Sequence, residues 1–411
     1  MDAVRLTELL HRGCETWSVP GAQLGLVRES ERVVVCAGTL EVGGAAPVVR
    51  ETPFHAGSIA KSLAALVVVD AARRGELDLD VPCSEQAAGL WDDTPRSLMA
   101  QTTGRQNLLP DLDEGLDTFV ARVGELPRVH APGRFSYCNA GWSVLDALLR
   151  ARSGAGFEEL AGSRVLGDAA AFGRPGGAAL GHAVRPGSPP QPVPEEYAEA
   201  ASAAGARWWA SADQLLDYAR LHLDDGEGRF EAEDVRELRR PHAAIPGATV
   251  ADSWGLGWSL FDRGNHRAFG WAGFTGGHRA YLRCFPDQDA AVVVLANSAG
   301  PLFGPPGGSA LFDALLPELL ELVGVPALVE PDRAGGREAA ALAGNYGPVR
   351  LTTLDDDSLR FEAPAFGEPE PLTLRRVGGD SFVVDGNPPG SMPVAIDGDL
   401  LYLGPFALPR S

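Results

Sequence analysis

Residues 58–74 constrain this chain more than any other stretch. They are rich in Ala, Leu and Val, contain neither Pro nor Gly, and close at Gly75. That pattern predicts a helix with a glycine stop, too apolar for a surface, so a core has to be built around it. The helix opens on Ser58 and carries Lys61 one turn later. Among the 35 Lys and Arg residues of the chain, Lys61 is the single lysine. A chain that uses Arg for its other basic charges does not need lysine for solubility. An ε-amine can lose its proton when desolvated, whereas guanidinium cannot. A serine activated by a neighbouring amine therefore requires Lys. The bland alternative is a helix start with a lysine that snorkels to solvent. Further parts of a site decide between the two.

Composition narrows the classes. A length of 411 residues predicts one large domain or two. The chain is 45% hydrophobic and 22% charged, as ordinary water-soluble domains are. Its net charge of −20 argues against nucleic acid or an anionic membrane as partner. Cysteines at 14, 36, 83, 138 and 284 are odd in number and scattered, with no C-x-x-C or Cys/His cluster. This predicts reduced thiols in a cytoplasmic protein, with no metal site. Asp355, Asp356 and Asp357 read as a solvated turn. The first residues lack the apolar core of a signal peptide, and no run reaches the roughly 18 apolar residues of a membrane span. The expected location is the cytosol.

Periodicity predicts a helix at 4–16, a hairpin from the apolar runs 22–27 and 33–37, and helices at 140–151 and 212–223. Residues 172–196 carry many Pro and Gly and predict a long ordered loop or lid. Strands are expected at 257–262, 278–285 and 290–296, the last a central one, and a terminal helix at 311–323. A Pro/Gly-rich linker is expected at 326–336. Beyond it, short apolar stretches at 349–353, 359–362, 372–377, 381–384 and 400–403 alternate with turns, which predicts a small antiparallel β domain, a barrel or half-barrel.

Two more motifs follow Ser58-Ile59-Ala60-Lys61. Tyr137-Cys138-Asn139 stands on a loop before a helix, and can place a phenol and an amide in one cleft. Asn139 also suits a helix cap. Phe269 to His278 includes Trp271-Ala272-Gly273 and is expected immediately before a strand, with small residues that let substrate approach a strand edge. S-x-x-K, Y-x-N and a third motif ending in Gly, in that order, resemble the serine β-lactamase and penicillin-binding protein superfamily, over roughly residues 5–325. Residues 97–104 (Ser-Leu-Met-Ala-Gln-Thr-Thr-Gly) look like the family's L-L-x-H-T-S-G turn, with Gln101 in the His position. Residues 254–258 (Trp-Gly-Leu-Gly-Trp) look like its Y-G-L-G-W strand, and Pro286-Asp287 matches its usual P-D turn.

The resemblance implies an α+β, β-lactamase/transpeptidase-like fold. An antiparallel sheet with flanking helices and an all-α lobe would occupy residues 1–325, and a small lipocalin-like β domain 337–411. It implies that Ser58 attacks an acyl carbonyl and that Lys61 and Tyr137 share the general-base and proton-return roles. The N–H groups of Ser58 and Phe274 would form the oxyanion hole, and Asn139 would orient the substrate carbonyl. Gly273 and Trp271 would line the substrate site. No cofactor is implied.

The third motif departs from the pattern. β-Lactamases and D,D-peptidases carry Lys or His where this chain has Trp271, a flat apolar wall with one N–H donor and no charge. That departure resembles the esterase and acyltransferase branch, and implies a neutral small-molecule acyl donor with an amine, alcohol or water acceptor, in a biosynthetic setting. The alternatives are a D,D-peptidase or D-amino-acid amidase, a peptide-cyclising thioesterase, and a non-catalytic scaffold of the same fold. For a peptidase, Arg279 is the nearby cation. Cys138 reads as a buried inert thiol, and His55 and His278 as structural. Trp208 and Trp209 are expected either under the sheet or along a substrate channel.

Overall fold

The computed structural model describes residues 2–262, 266–301, 306–325, 335–366, 368–386 and 392–411. Helix α1 (Ala3–Thr16) starts on Asp2, whose carboxylate accepts the Val4 and Arg5 amides, and leads into the hairpin β1 (Gly21–Arg28) and β2 (Glu31–Gly38). The short β3 (Phe54–His55) then delivers the chain to a 3₁₀ turn, Gly57–Ile59, that runs directly into α2 (Ala60–Arg73). Nearly all of α2 is buried, as its composition requires. α4 (Pro95–Met99) and α6 (Ala140–Ser153) pack against it, α6 stopped by Gly154 at φ +76°, while α3 (Cys83–Gln86) and α5 (Leu116–Gly124) pack on α6. Then come α7 (Phe157–Ala161) and, inside the expected lid, the small pair β4 (His182–Ala183) and β5 (Gln191–Pro192). β6 (Trp209–Ala210) pairs with β3 and precedes α8 (Ala212–Leu223), whose Ser211 and Gln214 form a reciprocal cap.

After α9 (Ala232–Glu237) the chain completes the main sheet. Its strands are β7 (Ala243–Ala244), β8 (Ser253–Trp254), β9 (Ser259–Asp262), β10 (Arg267–Phe274), β11 (Arg279–Phe285) and β12 (Ala290–Ala296). The order is β2-β1-β12-β11-β10-β9-β8-β7, antiparallel throughout. β12 is buried along its whole length because both faces are covered. Val292 and Val294 meet α1 and α10 (Gly308–Val323), while Val293 and Leu295 face α8 and the helical lobe. The Phe269–His278 motif does stand immediately before a strand, β11, but most of it is itself a strand that was not expected: β10 runs through it as far as Phe274. Two glycines hide the strand in the sequence, and packing demands both. A Cβ at Gly270 would stand 2.1 Å from Leu282 O, and one at Gly273 2.0 Å from Ala56 O.

The linker expected at 326–336 lies, as far as residue 334, outside the described residues. Beyond it a second eight-stranded antiparallel sheet runs in sequence order: β13 (Gly344–Tyr346), β14 (Val349–Asp355), β15 (Ser358–Ala363), β16 (Glu368–Gly378), β17 (Ser381–Val384), β18 (Val394–Asp397), β19 (Leu400–Leu403) and β20 (Phe406–Pro409). Tyr346 bridges Arg410 and the Gly347 amide donates to Pro409 O at 3.1 Å, which curls the sheet into a near-closed barrel. Leu351, Phe361, Leu374, Phe382 and Leu403 fill it. Its outer face shares a second apolar cluster with the first domain, in which Leu400 and Tyr402 meet Phe135, Tyr137 and Trp254. No helix among the described residues is long and apolar enough to cross a membrane.

Candidate active site

Ser58 sits in the 3₁₀ turn, with Lys61 in the first turn of α2. Gly57 adopts φ +55°, and a Cβ there would lie 2.8 Å from Gly273 Cα and 3.0 Å from the Phe274 nitrogen. Only Gly allows this backbone to press against the end of β10, so the turn bearing Ser58 and the Phe274 N–H face each other. Gly205, at φ +103°, closes the other side; a Cβ on it would stand 2.8 Å from Ser58 Cα. The Gly57 amide donates to His55 Nδ1 at 3.0 Å, and His55 Nε2 contacts Ala206 O at 2.9 Å. His55 thus ties the Ser58 turn to the 204–206 segment.

Lys61 is fully buried. Its Nζ donates to Ser58 Oγ at 3.2 Å, to Asn139 Oδ1 at 2.7 Å, and to Ala204 O. Burial holds its pKa well below the usual amine value. The Tyr137 hydroxyl donates to Ser58 Oγ at 2.8 Å. Burial pushes the Tyr137 pKa up, and the Ser58 and Trp271 side chains offset this only in part. Tyr137 belongs to no regular element. Gln101 holds the stretch beside it: Ser136 N–H donates to Gln101 O and Cys138 N–H to Gln101 Oε1, at 2.8 and 2.7 Å. Gln101 takes φ +59° to do so. Asn139 occupies the cap position of α6 but makes no side-chain cap bond. Its amide oxygen is spent on Lys61, and its own N–H donates to Asn107 Oδ1 at 2.8 Å.

Ser58, Lys61, Tyr137 and Asn139 therefore meet at one point, with Gly273 and Phe274 alongside. Trp271 packs tilted against Tyr137 at 5.7 Å and edge-on to Trp254 at 4.7 Å. Phe274 is half exposed at the rim. Arg279 is spoken for: its guanidinium donates to the carbonyls of Thr275, His278 and Gly300 and lies over the Phe274 ring at 4.6 Å. It gives no free cation for a substrate carboxylate. Cys138 is buried, with its thiol pushed up to about 11. Trp208 and Trp209 are both buried, so they pack rather than line a channel. Among the described residues no group of three or more His, Cys, Asp or Glu could hold a metal.

Sequence reasoning missed Glu195. It lies in the predicted lid, and its carboxylate accepts from Gly277 N–H at 2.8 Å and from Thr275 Oγ1, and pairs with His278 Nδ1. The lid is thereby fixed to the turn between β10 and β11. No local pattern announces such a residue.

The fold is that of a family of serine acyl-transfer enzymes and hydrolases, and the comparisons agree. The model of the Beta-lactamase family matches residues 8–314, and the chain belongs to that family. Penicillin-binding protein 4 of Amycolatopsis lactamdurans is 26% identical over 366 residues, which cover 80% of this chain and 93% of that protein. The crystal structure of SurE superposes with a TM-score of 0.79 at 27% identity, covering 100% of this chain and 99% of that one. SurE with D-Leu gives 0.78 at 25%, with the same coverage. The D-amino acid amidase of Ochrobactrum anthropi SV3, in complex with D-phenylalanine, shares the fold at a TM-score of 0.65 and 17% identity, over 78% of this chain and 98% of that one.

Proposed function

We propose that the chain is a serine acyl-transfer enzyme in which Ser58 forms an acyl-enzyme with a neutral ester, thioester or amide and passes the acyl group to water, an amine or an alcohol. The observation that carries this reading is the buried Lys61 amine, 3.2 Å from Ser58 Oγ. Desolvation favours its neutral form, whose two N–H bonds serve Asn139 and Ala204 and whose lone pair is then left to accept the Ser58 proton as Oγ attacks the carbonyl. Tyr137, with its pKa raised, keeps its proton until the leaving group needs it, and Lys61 returns one to Tyr137. Developing negative charge on the carbonyl oxygen would meet the N–H groups of Ser58 and Phe274. Deacylation runs the same path backwards, with the acceptor giving up its proton.

Trp271, with Arg279 turned to backbone carbonyls, supports a donor without a carboxylate at that wall. Likeness to SurE crystallised with D-Leu supports a D-amino-acid residue in the donor or acceptor. Five free thiols fit a reducing compartment and a cytosolic, biosynthetic role. Intact-protein mass after incubation with a p-nitrophenyl ester, a fluorophosphonate, a penicillin, and D- and L-leucyl thioesters tests this directly. An adduct from esters or thioesters that Ser58→Ala abolishes supports it; penicillin as the one efficient donor would favour the peptidase reading. No adduct from folded protein would leave a scaffold.

A further inference from the structure

The segment Arg134 to Asn139 carries the phenol of the site yet has no ladder of its own, so each of its backbone groups needs a partner from elsewhere. Gln101 and Asn107 supply those on one side. The C-terminal barrel supplies others. The Tyr137 N–H donates to Pro405 O at 3.2 Å, and the Tyr402 hydroxyl donates to Phe135 O at 3.0 Å. The Arg134 guanidinium donates to Asp399 Oδ1 at 2.8 Å and also reaches Asp397. Phe406 sets its ring edge-on to Tyr137 at 5.8 Å, completing an aromatic enclosure with Trp254 at 6.1 Å and Trp271. The barrel turn is itself fixed from the first domain. Thr249 Oγ1 donates to Gly404 O at 2.7 Å, and Gly404 takes φ +57° in the two-residue turn between β19 and β20.

We infer that the barrel is a working part of the acyl-transfer site: its β19–β20 turn positions Tyr137 against Ser58, with Phe406 and Tyr402 as the positioning residues. The inference rests on the Ser58 acyl-enzyme reading. A rigid proton carrier is worth much to such a reaction, because displacing an acting group by about 1 Å can cost about a hundredfold in rate. The 2.8 Å bond from Tyr137 to Ser58 is the distance at stake. Two interlocked domains, rather than one domain with a passive appendage, follow from the same contacts.

The test uses the full chain. Phe406→Ala and Tyr402→Phe are compared with Tyr346→Phe, whose wild-type hydroxyl donates to Leu342 O at 2.9 Å within the barrel core. Two quantities are read: the pre-steady-state acylation of Ser58 by a p-nitrophenyl ester, and hydrogen exchange over residues 134–139. Phe406→Ala is expected to slow acylation about tenfold or more with KM within about twofold, and to speed exchange of the segment. Tyr402→Phe, which removes one atom and keeps the fold, should move both in the same direction by less. Tyr346→Phe should move neither. Acylation within about twofold of wild type in both site-facing variants overturns the inference. So does a rise in KM with kcat intact, which would make Phe406 a wall for substrate. If the wild-type chain takes no acyl group, the functional reading falls, and exchange alone decides the positioning: faster in Phe406→Ala and Tyr402→Phe than in Tyr346→Phe upholds it, and equal in all three overturns it.

Discussion

The Lys61 amine donates to Asn139 Oδ1 over 2.7 Å, so a residue at a helix cap position serves the site instead of the helix. An amide there leaves the amine free to stay neutral. Asn139→Asp would set a carboxylate against it and favour the ammonium form, raising the pH at which Lys61 becomes a base. Acylation at neutral pH should fall by about 10²–10³-fold and recover as pH rises, whereas Asn139→Ala should lose activity without that shift. Burst rates across pH measure this. Equal profiles for the two variants would remove Lys61 as the base.

Gly273 is a second point of leverage. Its missing Cβ is what lets β10 lie against the Ser58 turn, since an added methyl would stand 2.0 Å from Ala56 O and 2.8 Å from its carbonyl carbon. Gly273→Ala must push the Phe274 N–H away from Ser58. Acylation should drop about a hundredfold or more. Gly276→Ala, whose nearest neighbour would be Tyr197 Oη at 3.9 Å, should stay within about twofold. A fully active Gly273→Ala enzyme would place the oxyanion elsewhere.

These two residues mark the boundary of what the sequence reveals. Uniform apolar runs were legible to the residue: the expected strand at 290–296 and helix at 212–223 are β12 and α8. Ser58, Lys61, Tyr137 and Asn139 stand out in the sequence because two short motifs carry them, and the structure brings all four side chains together. β10 was not, since Gly270 and Gly273 break the apolar alternation for the sake of contacts distant in the chain. Nor were β13, β18 and β20, which are three or four residues long and lean on the barrel for their pairing. Pro405 contributes a carbonyl, which every residue has, so no pattern could single it out. Glu195 acts across some eighty positions of sequence, and only the folded chain brings it to His278.

That pair gives a stability prediction. Burial opposes the Glu195 carboxylate, yet the hydrogen bond and charge of His278, with His55 and Thr275, outweigh it and hold its pKa at about 2. A carboxyl depressed below its unfolded value stabilises the fold above that value, and loses its contribution as pH falls towards about 2. Glu195→Ala removes one partner of a buried pair and should cost about 3–5 kcal/mol near neutral pH. The gap from wild type should narrow as the pH drops below about 4. Denaturant unfolding of both proteins at several pH values measures it, and a gap independent of pH would show that His278 draws nothing from the carboxylate charge.

His222 should govern stability in a different window. It is buried in α8, with neither ring nitrogen hydrogen-bonded among the described residues. The rings of Tyr218 at 4.8 Å, Trp258 at 5.0 Å and Phe269 at 6.3 Å surround it. Burial, and secondarily the Arg239 guanidinium, push its pKa down to about 3. The unfolded chain, with an ordinary imidazole near 6.5, binds the proton first as pH falls. Between about 6.5 and 3 the unfolded state therefore carries more protons, and stability must decline as the solution is acidified through that window. His222→Phe keeps an aromatic ring in the cluster and removes the titration. At pH 5 the wild type should have lost roughly 2 kcal/mol through His222 relative to pH 7.5, a loss the variant escapes. His55, lowered to about 4 by burial, adds a decline of about the same size that both proteins share. Urea unfolding of the two at pH 5 and 7.5 decides the matter: parallel losses would mean that the His222 ring finds a way to water or a partner when protonated.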